Sequence, residues 1–246
     1  AVFTTPFTYV ATAEVISILG ATPVFVDVYN TTFNIDCAKL ELEIERVLHK
    51  RKLKPKAIIP VDLFGLPARY RLIKKIAEKY NLKLIEDAAQ SFGGAIRNEK
   101  VGTFGDVAAT SFYPAKPLGC YGDGGAIFTN DDNLAEECRA IRIHGTKSDK
   151  YNSEMIGLNG RLDSIQAAVL LEKLKIFDDE LKMRNEVNSY YRKYLNYAQY
   201  HPKEYQSAHA LFSITLAKKS QRDILVDRLN QFKIPCVIYY KLPIHM

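Results

Sequence analysis

Apolar positions along the chain alternate between two periods. Short runs rich in β-branched residues at 23–28, 57–62, 82–87, 107–112 and 126–129 predict strands. Between the early runs the apolar residues recur at helical spacing. Residues 12–19 follow a threonine-rich turn. Residues 36–49 begin at Asp36, a suitable N-cap, and carry Leu40, Leu42, Ile44 and Val47/Leu48 on one face. Residues 70–80 follow Pro67. Strands separated by helices of this length predict an α/β fold with a largely parallel sheet. Further on, residues 161–175 predict an amphipathic helix and residues 176–195 a second, longer one. The tail then reads as strand 211–216, helix 220–231 and strand 236–240. The expected organisation is a large domain over 1–175 and a small C-terminal α/β domain over 176–246. No repeat or low-complexity segment interrupts it.

Composition narrows the class. Among the 246 residues, 47% are hydrophobic and 25% charged, which excludes a disordered or collagen-like chain. No apolar run reaches the ~18 residues of a membrane span. The net charge of +6 is mild. The basic run His49–Lys56 has no interleaved aromatics and matches no nucleic-acid reader, so it reads as a solvated helix end; the field still favours an anionic small substrate. Four scattered cysteines, without metal or haem spacing, predict reduced thiols in the cytoplasm. The first residues lack a signal-peptide pattern. The chain starts at Ala1 and stops at Met246 without a polar tail, and reads as cut at both ends.

Two segments carry candidate chemistry. Asp87 stands at the carboxyl end of a buried strand, where open α/β sheets place ligands, and a carboxylate there needs a cation or strong donors; it also suits a helix N-cap. Lys116 lies in a turn of Pro, Gly and aromatic residues, Ser111 to Gly125, flanked by Ala115 and Pro117. A desolvated ammonium loses basicity, which frees the amine to attack a carbonyl. The glycines of this turn fit neither GxGxxG nor a P-loop.

Together with other segments these residues resemble the DegT/DnrJ/EryC1/StrS family of pyridoxal-phosphate (PLP) sugar aminotransferases. Pro6-Phe7-Thr8-Tyr9-Val10-Ala11-Thr12 is similar to its P-x-FT-x-x-AT segment. Pro60-Val61-Asp62-Leu63-Phe64-Gly65 follows its PVHLFG, with Asp62 where His is common. Ile143-His144-Gly145, the run from Gly157 to Asp163, Gln166-Ala167-Ala168, and Tyr240 to His245 resemble its later signatures.

The resemblance implies a fold-type-I PLP transferase, with a large domain and a small one. It implies that Lys116 carries the cofactor and moves protons, and that Asp87 pairs with the ring nitrogen. Gln90 would lie near the ring's phenolic oxygen, Tyr9 would stack on its face, and Ser111 would bind its phosphate. Asn159 would reach the cofactor of a neighbouring subunit, which implies a homodimer with shared sites. Arg161 and His245 would face the substrate. The implied reaction passes through pyridoxamine phosphate and moves an amino group from L-glutamate to a keto group, at C3 or C4, of a nucleotide-activated sugar. That sugar would be UDP-linked and would serve surface glycan synthesis. A pyridoxamine-phosphate-dependent dehydratase, a non-catalytic regulatory protein on the same fold and a plain nucleotide binder remain alternatives; Lys116 argues against the first. The family's phosphate-binding turn belongs upstream of residue 1.

Overall fold

The computed structural model describes residues 1–147, 149 and 151–246. Its first half alternates strand and helix, as predicted for all but β1: β1 (Val2–Thr4), α1 (Ala11–Ile18), β2 (Pro23–Phe25), α2 (Cys37–Lys50), β3 (Ala57–Ile58), α3 (Tyr70–Lys79) and β4 (Lys83–Asp87). Next come β5 (Ala95–Ile96), β6 (Glu99–Lys100), β7 (Val107–Ser111), β8 (Gly125–Phe128), α4 (Asp132–Ile141), α5 (Ser164–Arg192), β9 (Tyr205–Gln206) and α6 (Lys219–Gln231). Six strands form one sheet in the order β2-β1-β3-β4-β7-β8. The first five are parallel and β8 closes the edge antiparallel to β7.

The helices form where local chemistry directs them. Asp36 sits in extended backbone and its carboxylate accepts the N–H groups of Ala38 and Lys39, satisfying two orphan donors of α2. One face of α2 then buries Leu40, Ile44 and Val47, and α3 buries Tyr70, Ile73, Ile76 and Ala77. These faces pack with Phe3, Ile58 and Leu84 of the strands in one core. The Tyr70 ring stacks on Phe104 at 4.6 Å. A second cluster joins Phe112, Leu118 and Cys120 to Leu170 and Phe177 of α5.

Three sequence expectations change. The two helices expected over 161–195 are a single helix, α5, because no proline, glycine or cap breaks the pattern where they were to meet. It runs unbroken through the expected boundary at 175/176. The expected strands at 211–216 and 236–240 do not form ladders: the first makes an isolated bridge, Ala198 to Ile214, and the second is irregular. Alternation supplies a face, but a strand also needs a neighbour's hydrogen bonds: residues 213–215 meet 197–199 through only the Gln199 N–H to Ser213 carbonyl and Thr215 N–H to Tyr197 carbonyl backbone bonds, too short a pairing for a ladder. The tail's ladder is β9 instead, which pairs antiparallel with β5 beside β6. Gln199 also donates to the carbonyls of Thr32 (2.6 Å) and Leu63 (3.2 Å), tying the tail to the first half. β1 and α4 escaped the pattern; α4 starts at Asp131, whose carboxylate accepts the Leu134 N–H.

Candidate active site

The parallel strands β1, β2, β3, β4 and β7 end on one side of the sheet. Asp87 is the last residue of β4, in register with Ala109 of β7 and bridged to Val61 after β3. Its carboxylate is anchored on both oxygens: Thr12 Oγ1 donates to Oδ2 at 2.7 Å and the Ala89 N–H to Oδ1 at 3.2 Å. Its carbonyl accepts the Asp62 N–H at 3.1 Å. The adjacent strand β7 ends at Ser111, whose Oγ accepts the Tyr113 N–H at 3.2 Å and starts the turn that carries Lys116.

That turn is tightly held. Phe112 donates to the Gly124 carbonyl at 2.7 Å, Cys120 donates back to the Phe112 carbonyl at 2.8 Å, and Lys116 donates its N–H to Tyr113 at 2.9 Å. Leu118 and Cys120 are buried against α5. The chain passes so close to itself at Gly119 that a Cβ there would stand 2.6 Å from the Pro114 carbonyl oxygen, so only glycine fits.

Asp87 and Lys116 feel each other's charge. Burial pushes the Lys116 amine below its ordinary range, and the Asp87 carboxylate partly restores it. Burial pushes the Asp87 carboxyl up, against the Thr12 hydroxyl, the Ala89 N–H and the Lys116 charge. Both side chains keep enough exposure to meet a ligand. A weakened amine beside a dehydrated carboxylate can condense with an aldehyde and hold a cationic heterocycle.

The other sequence-predicted residues divide into two groups. Gln90 sits at this site: its Oε1 accepts the Phe64 N–H at 2.8 Å, and its side chain hydrogen-bonds the Tyr240 hydroxyl. Tyr9 lies a turn before Thr12 at the start of α1, with 65% of its surface exposed. Ser111 ends the strand beside β4. Asn159 and Arg161 bond each other, Arg161 Nε to Asn159 Oδ1 at 2.8 Å, on the exposed segment before α5. His245 packs at 6.0 Å from Phe25 on the edge strand β2. Three strand spacings, about 14 Å, separate that strand from β4. No described contact joins Asn159, Arg161 or His245 to Asp87 or Lys116 of the same chain.

Sequence reasoning missed Thr12, Tyr240 and Asp62 as members of the site. Tyr240 reaches in from the tail; its hydroxyl is pushed up to about 12 by burial, with the Asp87 charge adding to it. Asp62 is fully buried and accepts the Ala68 N–H (2.8 Å), the Tyr70 hydroxyl (2.8 Å) and the Ser91 hydroxyl (2.7 Å). Burial and the neighbouring Glu86 charge push Asp62 well up, and burial pushes Glu86 up to about 7 despite its bonds to the N–H groups of Gly102 and Phe104. Between the ordinary Glu value of 4.5 and about 7 the folded chain holds a proton that the unfolded chain has lost. Stability therefore falls as pH rises across that window, and the penalty is complete above it. Asp62→Asn keeps the acceptor for Ala68 and Tyr70 and offers Ser91 an amide donor. It is expected to raise stability at pH 8 by about 1–3 kcal/mol, with less gain at pH 5. Urea unfolding at the two pH values checks this.

Relatives share this architecture. A model of the DegT/DnrJ/EryC1/StrS aminotransferase family matches residues 1–246. The chain is 50% identical over 190 residues to the UDP-2-acetamido-2-deoxy-3-oxo-D-glucuronate aminotransferase of Pseudomonas aeruginosa, an alignment that covers 77% of this chain and 51% of that protein. It is 42% identical over 249 residues to the pleiotropic regulatory protein of Geobacillus stearothermophilus, covering 100% of this chain and 65% of the relative. A crystal structure of a DegT DnrJ EryC1 StrS aminotransferase from Brucella abortus superposes with a TM-score of 0.96 at 50% identity, covering 100% of this chain and 66% of that one. The chain thus spans between about half and two thirds of the length of these relatives. With an α/β sheet of this order, and Asp87 and Lys116 set at its carboxyl edge, the chain belongs to the DegT/DnrJ/EryC1/StrS aminotransferase family.

Proposed function

We propose that this chain forms the cofactor-bearing part of a PLP-dependent aminotransferase, which moves an amino group from L-glutamate to a keto group of a UDP-linked sugar. The observation that carries this reading is the half-buried Lys116 amine within the field of the Asp87 carboxylate. The donor set matches the cofactor's three chemistries: an amine for its aldehyde, a carboxylate for its ring nitrogen and the Ser111 hydroxyl for its phosphate. When bound, PLP supplies a carbonyl that takes up the amino group and a ring that accepts an electron pair.

The chain's own groups do the rest. Lys116 Nζ, kept less basic by burial, takes a proton from the reacting carbon and returns it. Asp87, fixed by Thr12 and Ala89, would pair with the cofactor's ring nitrogen and favour its protonated form. Gln90, fixed by the Phe64 N–H, would lie near the ring's phenolic oxygen. Tyr9 offers an exposed aromatic face for stacking.

The names of relatives support the substrate class. One is a UDP-2-acetamido-2-deoxy-3-oxo-D-glucuronate aminotransferase and another a UDP-N-acetyl-3-dehydro-alpha-D-glucosamine 3-aminotransferase. Both names favour C3 over C4. Arg161 suits a sugar carboxylate as a bidentate partner, and His245 lies on the tail segment that returns to the sheet. In the homodimer reading Asn159 and Arg161, exposed on the segment before α5, serve the neighbouring subunit's site. Tyr121, Ile156 and Ile165 are 79%, 97% and 76% exposed, which supports a covered face there. No described helix is long and apolar enough to cross a membrane.

One relative carries a regulatory name, and a non-catalytic reading makes the opposite forecast in the same experiment. Protein loaded with PLP is expected to change absorbance on adding glutamate and to aminate one member of a panel of UDP- and dTDP-linked 3- and 4-keto sugars, read by mass spectrometry. A loaded protein that leaves glutamate untouched overturns the aminotransferase reading.

A further inference from the structure

The Lys116 turn is held from outside by one face of α5. Gln166, Leu170, Lys173 and Phe177 recur at helical spacing on that face. Leu170 and Phe177 bury Leu118 and Cys120, the apolar half of the turn. The other two make polar ties. Lys173 Nζ donates to the Gly119 carbonyl at 2.6 Å, and Gln166 Oε1 accepts the Tyr121 N–H at 2.8 Å. Both ties land on the segment just after Lys116.

The use of Lys173 is unusual for this helix. Lys175 pairs with Glu172 and Lys182 with Asp179, as exposed helical lysines do. Lys173 spends its ammonium on a backbone carbonyl, a charge-assisted bond stronger than a neutral one. Gly119 is also where the turn passes close to its own backbone, a Cβ there standing 2.6 Å from the Pro114 carbonyl oxygen. Fixing its carbonyl fixes the path of residues 114–119, and so the depth at which the Lys116 amine sits.

We infer that Lys173, with Gln166, is a positioning residue: α5 clamps the turn from behind and thereby keeps the Lys116 amine dehydrated and aimed at Asp87. The inference rests on the reading of Lys116 as the reactive amine, but its test does not need turnover. If the clamp is released, the turn opens, water returns to the amine, and its basicity rises towards that of an ordinary lysine.

The test uses the protein without cofactor. Acetic anhydride labels Lys116 as a function of pH, and peptide mass spectrometry reads the midpoint. Lys173→Met is expected to shift that midpoint upward, towards the ordinary 10.5. Lys173→Arg restores it, and Lys175→Met leaves it unchanged. In the loaded enzyme Lys173→Met lowers kcat more than it alters KM for glutamate. A folded Lys173→Met protein with the wild-type midpoint overturns the inference, because a merely structural contact changes stability without moving the amine's titration. If Lys173→Met does not fold, Gln166→Ala is read in the same way, and an unchanged midpoint there overturns it too. A shifted midpoint in a protein that ignores glutamate refutes the aminotransferase reading and leaves the clamp standing.

Discussion

Replacing Lys116 by alanine is expected to abolish amino transfer while leaving the chain folded. The fold keeps what anchors the turn: the Lys116 N–H bond to Tyr113 is made by backbone, and the apolar anchors are Leu118 and Cys120. What goes is the amine. Loss of proton transfer alone costs roughly 10²–10⁴ in rate, and loss of the covalent hold adds to it. Lys116→Arg should fail equally, since a guanidinium stays protonated and cannot condense. Borohydride reduction of wild-type protein with PLP is expected to fix label on the Lys116 peptide and nowhere else. The pH dependence carries a sign: only the neutral amine attacks, so labelling rises with pH through the Lys116 titration, and burial places that rise below the range of the exposed lysines. Label on another lysine, or turnover by Lys116→Ala, would falsify the assignment.

Asp87→Asn should follow closely in effect, with a distinct signature. Stranding one partner of a buried charge pair costs about 3–5 kcal/mol, which as lost transition-state stabilisation is roughly 10²–10⁴ in kcat. In the protein without cofactor the sign reverses. The carboxylate is dehydrated and its carboxyl is pushed up by burial, so the amide removes a cost and the variant is expected to unfold at no lower urea concentration than wild type. The cofactor should then stabilise the variant less than it stabilises wild type, by the charge interaction it has lost. Lys116 also loses the carboxylate that restores its basicity, so its labelling midpoint falls, opposite to the effect of Lys173→Met. A variant with wild-type kcat and an unmoved midpoint would show that Asp87 is only a strand-end cap.

Much of this site was legible in the chain, for identifiable reasons. Local signals were strong where one residue decides the outcome. Asp36 caps α2 because its carboxylate reaches two N–H groups of its own helix. The run ending at Asp87 is apolar because β4 is inside, and the strand's end places the carboxylate at the sheet's carboxyl edge. The pairing of Asp87 with Lys116 was read from family resemblance, since nothing local joins two segments that meet only through the register of β4 and β7. The supporting residues stayed hidden for the same reason. Thr12, Asp62, Gln166 and Lys173 each act on a distant partner; the first three stand in family segments that give them no such role, and Lys173 stands in none. Asp62 was noticed only as a departure from PVHLFG; its threefold acceptor role depends on how Ala68, Tyr70 and Ser91 converge. The tail misled most, because 211–216 alternates like a strand yet finds no ladder, while β9, two residues long, carries too little pattern to see.

The small sheet bears on how the chain comes into being. β5 waits for β9, and Arg97 makes both guanidinium bonds to Glu204 across 107 positions. Gln199 closes on Thr32 across 167. A nascent polypeptide leaving the ribosome exposes its early strands well before these late residues exist to cover them. Such long-range closure slows folding and lengthens the interval in which unpaired edges can meet another molecule. Recombinant yield should therefore respond to slower translation or added chaperone more than to changes within the catalytic turn.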